Sequence, residues 1–189
     1  MTIYTSVLFV HTIAVLALTA GLTVEAWMLF QLRRASSLGE VRSCTAPVPA
    51  LTVASISSLV IVYVTGAYLT ESLRGWELAW PRFAVLEVVL FVVLGVLTGR
   101  RLRAIRKLCN RVGEKESELK ARLQSPLLKI LLNIRIWIVI GTVLLMAAKP
   151  GFDESLSIVV ASVLLGWVSS LVTLGRWGVS STGSVSHGL

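Results

Sequence analysis

The sequence predicts an all-α fold: a polytopic membrane bundle of five transmembrane helices, with the N-terminus outside and the C-terminus in the cytoplasm. Three observations lead there. Of the 189 residues, 55% are hydrophobic and only 15% charged, with a mean hydropathy of +0.81, more apolar surface than a soluble domain of this size can bury. The apolar residues fall in five continuous runs, four of them near the roughly 20 residues that a helical span needs and the first longer. The basic residues fall on alternate connections.

The runs cover residues 3–32, 49–69, 81–99, 127–148 and 156–174. Barrel strands would be about ten residues long with alternating polarity, so helices are the only remaining way across a bilayer. The first run has no Lys or Arg in Met1–Ser6 and is about twice too long for a cleaved signal; it is expected to stay as an anchor. The first connection carries Arg33, Arg34 and Arg42, the third and the start of its following span carry ten basic residues from Arg100 to Lys129, and the tail carries Arg176. Together these are 14 of the 18 basic residues, which sets the orientation by the positive-inside rule.

One domain, residues 1–178, is expected to hold the five spans and a cytoplasmic helical hairpin over 100–125. The first arm of that hairpin continues the third helix. Ser125 and Pro126 suit the N-cap and first turn of the fourth span. Residues 179–189 are Ser- and Gly-rich and read as a flexible cytoplasmic tail. Tyr4, Trp76 and Trp80 fit an outer aromatic belt, and Trp27 and Trp177 an inner one. The net charge of +8 reads as an orientation signal and as contact with anionic lipid at the basic loops, not as a nucleic-acid footprint. Cys44 and Cys109 fall on cytoplasmic segments, where reduced thiols are expected.

Helix packing is visible in two places. His11, Ala14, Leu18, Gly21, Glu25 and Met28 follow three- and four-residue steps that make one stripe of the first helix. Ser162, Gly166 and Ser170 make a small-residue ridge on the fifth, of the kind through which lipid-embedded helices approach closely.

Four ionisable side chains lie inside spans: His11, Glu25, Glu87 and Arg135. Each costs about 2.5–3.5 kcal/mol at mid-bilayer unless it faces protein or water. At 1.5 Å per residue, His11 and Glu87 lie roughly 12 and 9 Å below the outer edge, and Glu25 and Arg135 roughly 10–12 Å above the inner one. The inner layer reads as a structural ion pair between Glu25 and Arg135, with Asn133 nearby. The outer layer, His11 with Glu87, is open to three readings: a packing pair, a proton relay, or a metal or haem ligand (His11) with its supporting carboxylate. Copper and haem are both compatible, and neither is firmly implied. A bis-histidine haem would need a second intramembrane histidine, and His187 lies in the tail, so haem would take Met146 or no second ligand within one protomer, or a His11 from another subunit. There is no GxSxG elbow, no HExxH and no P-loop.

Beyond these readings, the chain resembles a bacterial family of integral membrane proteins of unknown function related to the copper-resistance D membrane proteins. The resemblance rests on HTIAVLALTAGL in the first helix, Thr65-Gly66 near the end of the second, the outer turn GWELAW, the basic exit GRRLRAIRK, and Met146-Ala147-Ala148-Lys149-Pro150 closing the fourth. It covers about residues 1–150. The fifth helix lies beyond that unit, and Thr19, Ala20 and Gly21 stand where the family often has a Trp-Gly pair. The resemblance implies a helical bundle in a bacterial inner membrane and draws attention to His11 as a ligand. The leading functional expectation is a non-catalytic accessory or scaffold subunit that packs against other membrane proteins; the alternative is a copper-, haem- or proton-handling protein using His11 and Glu87.

Overall fold

The computed structural model describes residues 2–35, 37–110 and 126–178, and among them there is helix and no strand. Six α-helices follow in order: α1 (Ile3–Arg34), α2 (Leu38–Thr45), α3 (Val48–Ser72), α4 (Ala79–Asn110), α5 (Pro126–Ala148) and α6 (Phe152–Gly178). α1, α4, α5 and α6 each supply one of the five segments long and apolar enough to cross a membrane, and α3 shares the remaining one, Gly39–Ser72, with most of α2. The protein is thus an all-helical bundle of five membrane-compatible helices. The second arm of the expected hairpin and the tail beyond residue 178 lie outside the described residues.

Local chemistry explains the boundaries. Thr2 caps α1 by accepting from the Thr5 amide at 3.4 Å. α2, a short helix inside the first connection, is a capping-box start: Ser37 accepts from the Glu40 amide at 3.3 Å, and Glu40 sits in the first turn. Pro47 precedes the first residue of α3. Between α3 and α4 the chain reverses through Arg74, at φ 50°, and a 3₁₀ turn over Gly75–Glu77. Gly75 fits closely there, since a Cβ would press on the Thr70 carbonyl at 3.2 Å and on the Thr70 methyl at 3.1 Å. Lys149 ends α5 in the left-handed conformation, φ 47°, while its amide still bonds to the Leu145 carbonyl at 3.0 Å. This is the usual geometry of a helix stop.

Packing divides the bundle. α1 lies against α3, while α4, α5 and α6 form a tighter trio; the two groups touch along a thinner seam, chiefly α1 with α5, α2 with α4 and α3 with α4. The stripe expected on α1 faces protein, with His11, Ala14, Leu18 and Met28 buried and Gly21 and Glu25 partly so. Ser162, Gly166 and Ser170 are buried on α6, with Ser162 beside Gly141 of α5. A Cβ at Gly166 would stand 2.6 Å from the Ile134 Cα, so the two backbones meet there as lipid-embedded helices do at small residues.

At 32 residues α4 is about 48 Å long, well beyond a hydrocarbon core of about 30 Å. Its last turns leave the apolar layer, where Leu102 and Ile105 join Leu29, Leu32 and Val41 in one buried cluster. The C-terminal ends of α1 and α4 and all of α2 therefore collect their Arg and Lys residues at one end of the bundle, called the basic side below. Trp80 does not belong to an aromatic belt: it is 7% exposed, tucked beside Gly75 at the reversal. Trp76, Trp27 and Tyr4 are exposed, and the Trp177 side chain lies outside the described set.

Candidate functional site

The polar layer nearer the basic side is built from α1 and α5. The Arg135 Nη1 donates to both carboxylate oxygens of Glu25, at 2.9 and 2.8 Å. The two side chains are 5% and 14% exposed, so the pair lies in a low-dielectric setting where losing one partner strands the other. The Arg135 guanidinium also stacks over Phe91 of α4, with Cζ 4.6 Å from the ring centroid, a desolvated cation–π contact. Gly95 lies against the face of the guanidinium, where a Cβ would make ordinary contact with Cζ and Nη2 at 3.6 Å and with Nε at 3.7 Å. One arginine thus ties α1, α4 and α5 together. Its Nε is buried and has no hydrogen-bond partner. Asn133 takes no part: two residues from Arg135 it points to another face of α5, and no hydrogen bond joins it to the pair.

Beside the pair lies a cleft of about 180 Å³ between α1, α3 and α4. Its walls include Ser55, Leu59, Phe91, Val96 and Gly99, with Glu25 and Arg135 at the base and Arg103 toward the basic side.

His11 and Glu87, expected together in an outer layer, do not form one site. His11 Nδ1 lies 2.8 Å from the Thr65 hydroxyl of α3, and the imidazole fills space left by Gly66, where a Cβ would meet Cε1 at 3.2 Å. Glu87 is 0% exposed and sits inside the other group of helices. The Thr142 hydroxyl reaches its Oε2 at 2.7 Å and the Ile138 carbonyl at 2.9 Å, and its single proton serves one of them at a time. Oε1 has no donor. The Ser162 hydroxyl stands close by across Gly141, where a Cβ would collide with it and would lie 2.6 Å from Oε1, but its proton goes to the Ile158 carbonyl at 2.8 Å. No hydrogen bond or ion pair connects His11 with Glu87. The expected His11–Glu87 site is replaced by two separate joints: His11 locks α1 to α3, and Glu87 lies at the meeting of α4, α5 and α6. They share a depth but face different neighbours.

Sequence reasoning missed Thr65 and Thr142 as partners and the glycines that make room for them. One signal was present: Gly95 and Gly99 form a GxxxG step within a span, a spacing that marks close approach on one helix face. Among the described residues, no group of three or more His, Cys, Asp or Glu side chains converges as a metal site would require. No family model, curated protein or solved structure matches the chain.

Proposed function

We propose that this protein is a non-catalytic, multi-pass membrane protein serving as an accessory or scaffold subunit of a larger membrane complex, in a bacterial inner membrane with its basic side toward the cytoplasm. The observation that carries the reading is the uneven covering of the spans. Only 11% of the most apolar stretch of α3 is buried, against 28% in α5 and α6. The outward face of α3 presents Ala50, Ala54 and Ser57 at helical spacing, and that of α1 presents Thr12, Ala20 and Thr23, all exposed. Hydroxyls such as those of Thr12 and Thr23 are satisfied by their own backbone carbonyls at 2.9 and 3.0 Å, which lets small and hydroxyl residues pack against a neighbouring helix.

The placement of the ionisable groups supports the same reading, because each is engaged in joining helices. The sequence resemblance to the copper-resistance D family, carried by short motifs alone, would imply such a bundle and adds no activity to it. Extraction in a mild detergent followed by mass spectrometry is expected to recover another membrane protein in fixed stoichiometry. Substituting Ala54→Trp and Ser57→Trp on α3 is expected to release that partner without unfolding the bundle. A monomer that carries no partner at any detergent strength would overturn the reading.

A further inference from the structure

The cleft beside the ion pair has features that an accessory role does not use. Its lips are Val92 and Val96 on α4 and Ile56 on α3, all exposed, so it opens sideways onto the surface that hydrocarbon bathes. Its other end, at the exposed Arg103, lies toward the basic side, so a lipid can enter from the side with its head group at that end. Apart from Thr52 and Ser55, its polar lining is confined to the base and one end. At the base, Glu25 engages only Nη1 of Arg135; Nε is buried without a partner, and the face of the guanidinium lies against Gly95, where a Cβ would be 3.6 Å from Cζ and Nη2, which leaves Nη2 as the donor beside the cleft that both residues line. A buried guanidinium with donors left over calls for an acceptor oxygen.

The basic end supplies a second cation at a defined spacing. The Arg103 Nε donates to the Gly99 carbonyl at 3.2 Å, which turns the guanidinium back along α4; its Nη2 would be 4.0 Å from a Cβ at Gly99. Gly95 and Gly99 are one helical turn apart, about 6 Å, so the two guanidinium groups are offset along the cleft by about that distance. The glycerol carbon and ester linkage that separate phosphate from acyl carbonyl in a glycerophospholipid bridge a comparable length. Basic pockets between membrane helices are recognised sites for acidic head groups. The glycines keep the wall flat enough for a chain to lie along it, and Ile56, Leu59, Val92 and Val96 provide an apolar bed.

We infer that this cleft binds one anionic glycerophospholipid from the leaflet on the basic side, its phosphate on Arg103, an ester carbonyl accepting from Arg135, and an acyl chain along the α3–α4 wall. This goes beyond the accessory reading and does not depend on it, since it concerns the isolated chain.

Native mass spectrometry of the full-length protein, titrated in neutral detergent with phosphatidylglycerol, phosphatidylcholine or oleate, tests it. One tightly held phosphatidylglycerol per chain is expected, with phosphatidylcholine and oleate each weaker. Arg103→Gln should weaken phosphatidylglycerol about fivefold, the worth of one basic residue near a charged lipid, and narrow its advantage over phosphatidylcholine. Gly99→Leu, whose side chain would enter the cleft with only Arg103 nearby, should abolish the tight adduct; Ile56→Trp, on the opposite lip, should do the same and serves if the first variant folds poorly. An adduct that survives both fillings, equal binding of phosphatidylglycerol and phosphatidylcholine, or preference for oleate would each overturn the assignment.

Discussion

Glu25 and Glu87 are both carboxyls inside the membrane layer, yet they solve the same problem in different ways. Glu25 stands at the seam between two groups of helices and is met by a cation from across it, at 2.8 Å. Glu87 stands inside the tightest group, fully enclosed, with one oxygen near a hydroxyl and the other without a donor. The contrast teaches where the bundle needs a specific bond. α4, α5 and α6 are held by close backbone approach, as at Gly166 and Ile134, and a polar group among them is a local matter. The α1–α3 pair touches the trio along a thin seam, and there Arg135 supplies a directional contact that dispersion alone does not. Lipid tails are as apolar as leucine, so no hydrophobic drive closes such a seam.

Four substitutions break or sharpen this comparison. Arg135→Ala should have the largest effect, about 3–5 kcal/mol, because it leaves Glu25 buried without its cation; thermal unfolding in detergent should show a large drop in midpoint. Gly166→Ala comes next, at about 1–3 kcal/mol for overpacking, since the new methyl would press on the Ile134 backbone and force α5 and α6 apart. A smaller loss, on the order of 1 kcal/mol, is expected for Gly66→Ala, whose Cβ at 3.2 Å from the His11 ring pushes the imidazole off Thr65; His11 nuclear magnetic resonances should shift while the fold persists. Glu87→Gln should cost least, within about 1 kcal/mol and of either sign, because the amide keeps the shape and can donate to Thr142. A large loss for Glu87→Gln would show that the carboxyl itself is needed, and would reverse the comparison.

What could be read from the chain was depth, and what could not was direction around each helix axis. Apolar runs and a 1.5 Å rise place every ionisable residue at a level in the membrane, which is why the five spans and the levels of Glu25 and Arg135 were legible. His11 and Glu87 share a level too, but they point at Thr65 on α3 and Thr142 on α5, because azimuth depends on which helices become neighbours. Trp80 illustrates the same limit: its level suits an aromatic belt, yet its direction turns it under the loop beside Gly75. Asn133 lies at the right depth for the ion pair and on another face of the helix. α2 escaped notice for a different reason: half of its eight residues are Glu, Arg, Ser or Thr, and the buried positions among its described side chains, Val41 and Thr45, are too few to show a helical period.

The central claim is that the Glu25–Arg135 contact joins the α1–α3 pair to the α4–α6 trio. A double-mutant cycle measures it most directly, using Glu25→Met, Arg135→Met and the double variant, with unfolding free energies from steric trapping or denaturant titration in micelles. Each single change should be strongly destabilising and the double much less so than their sum, with a coupling of at least about 1 kcal/mol. Additive losses, with a coupling near zero, would contradict the account and leave the pair as a contact that holds nothing together.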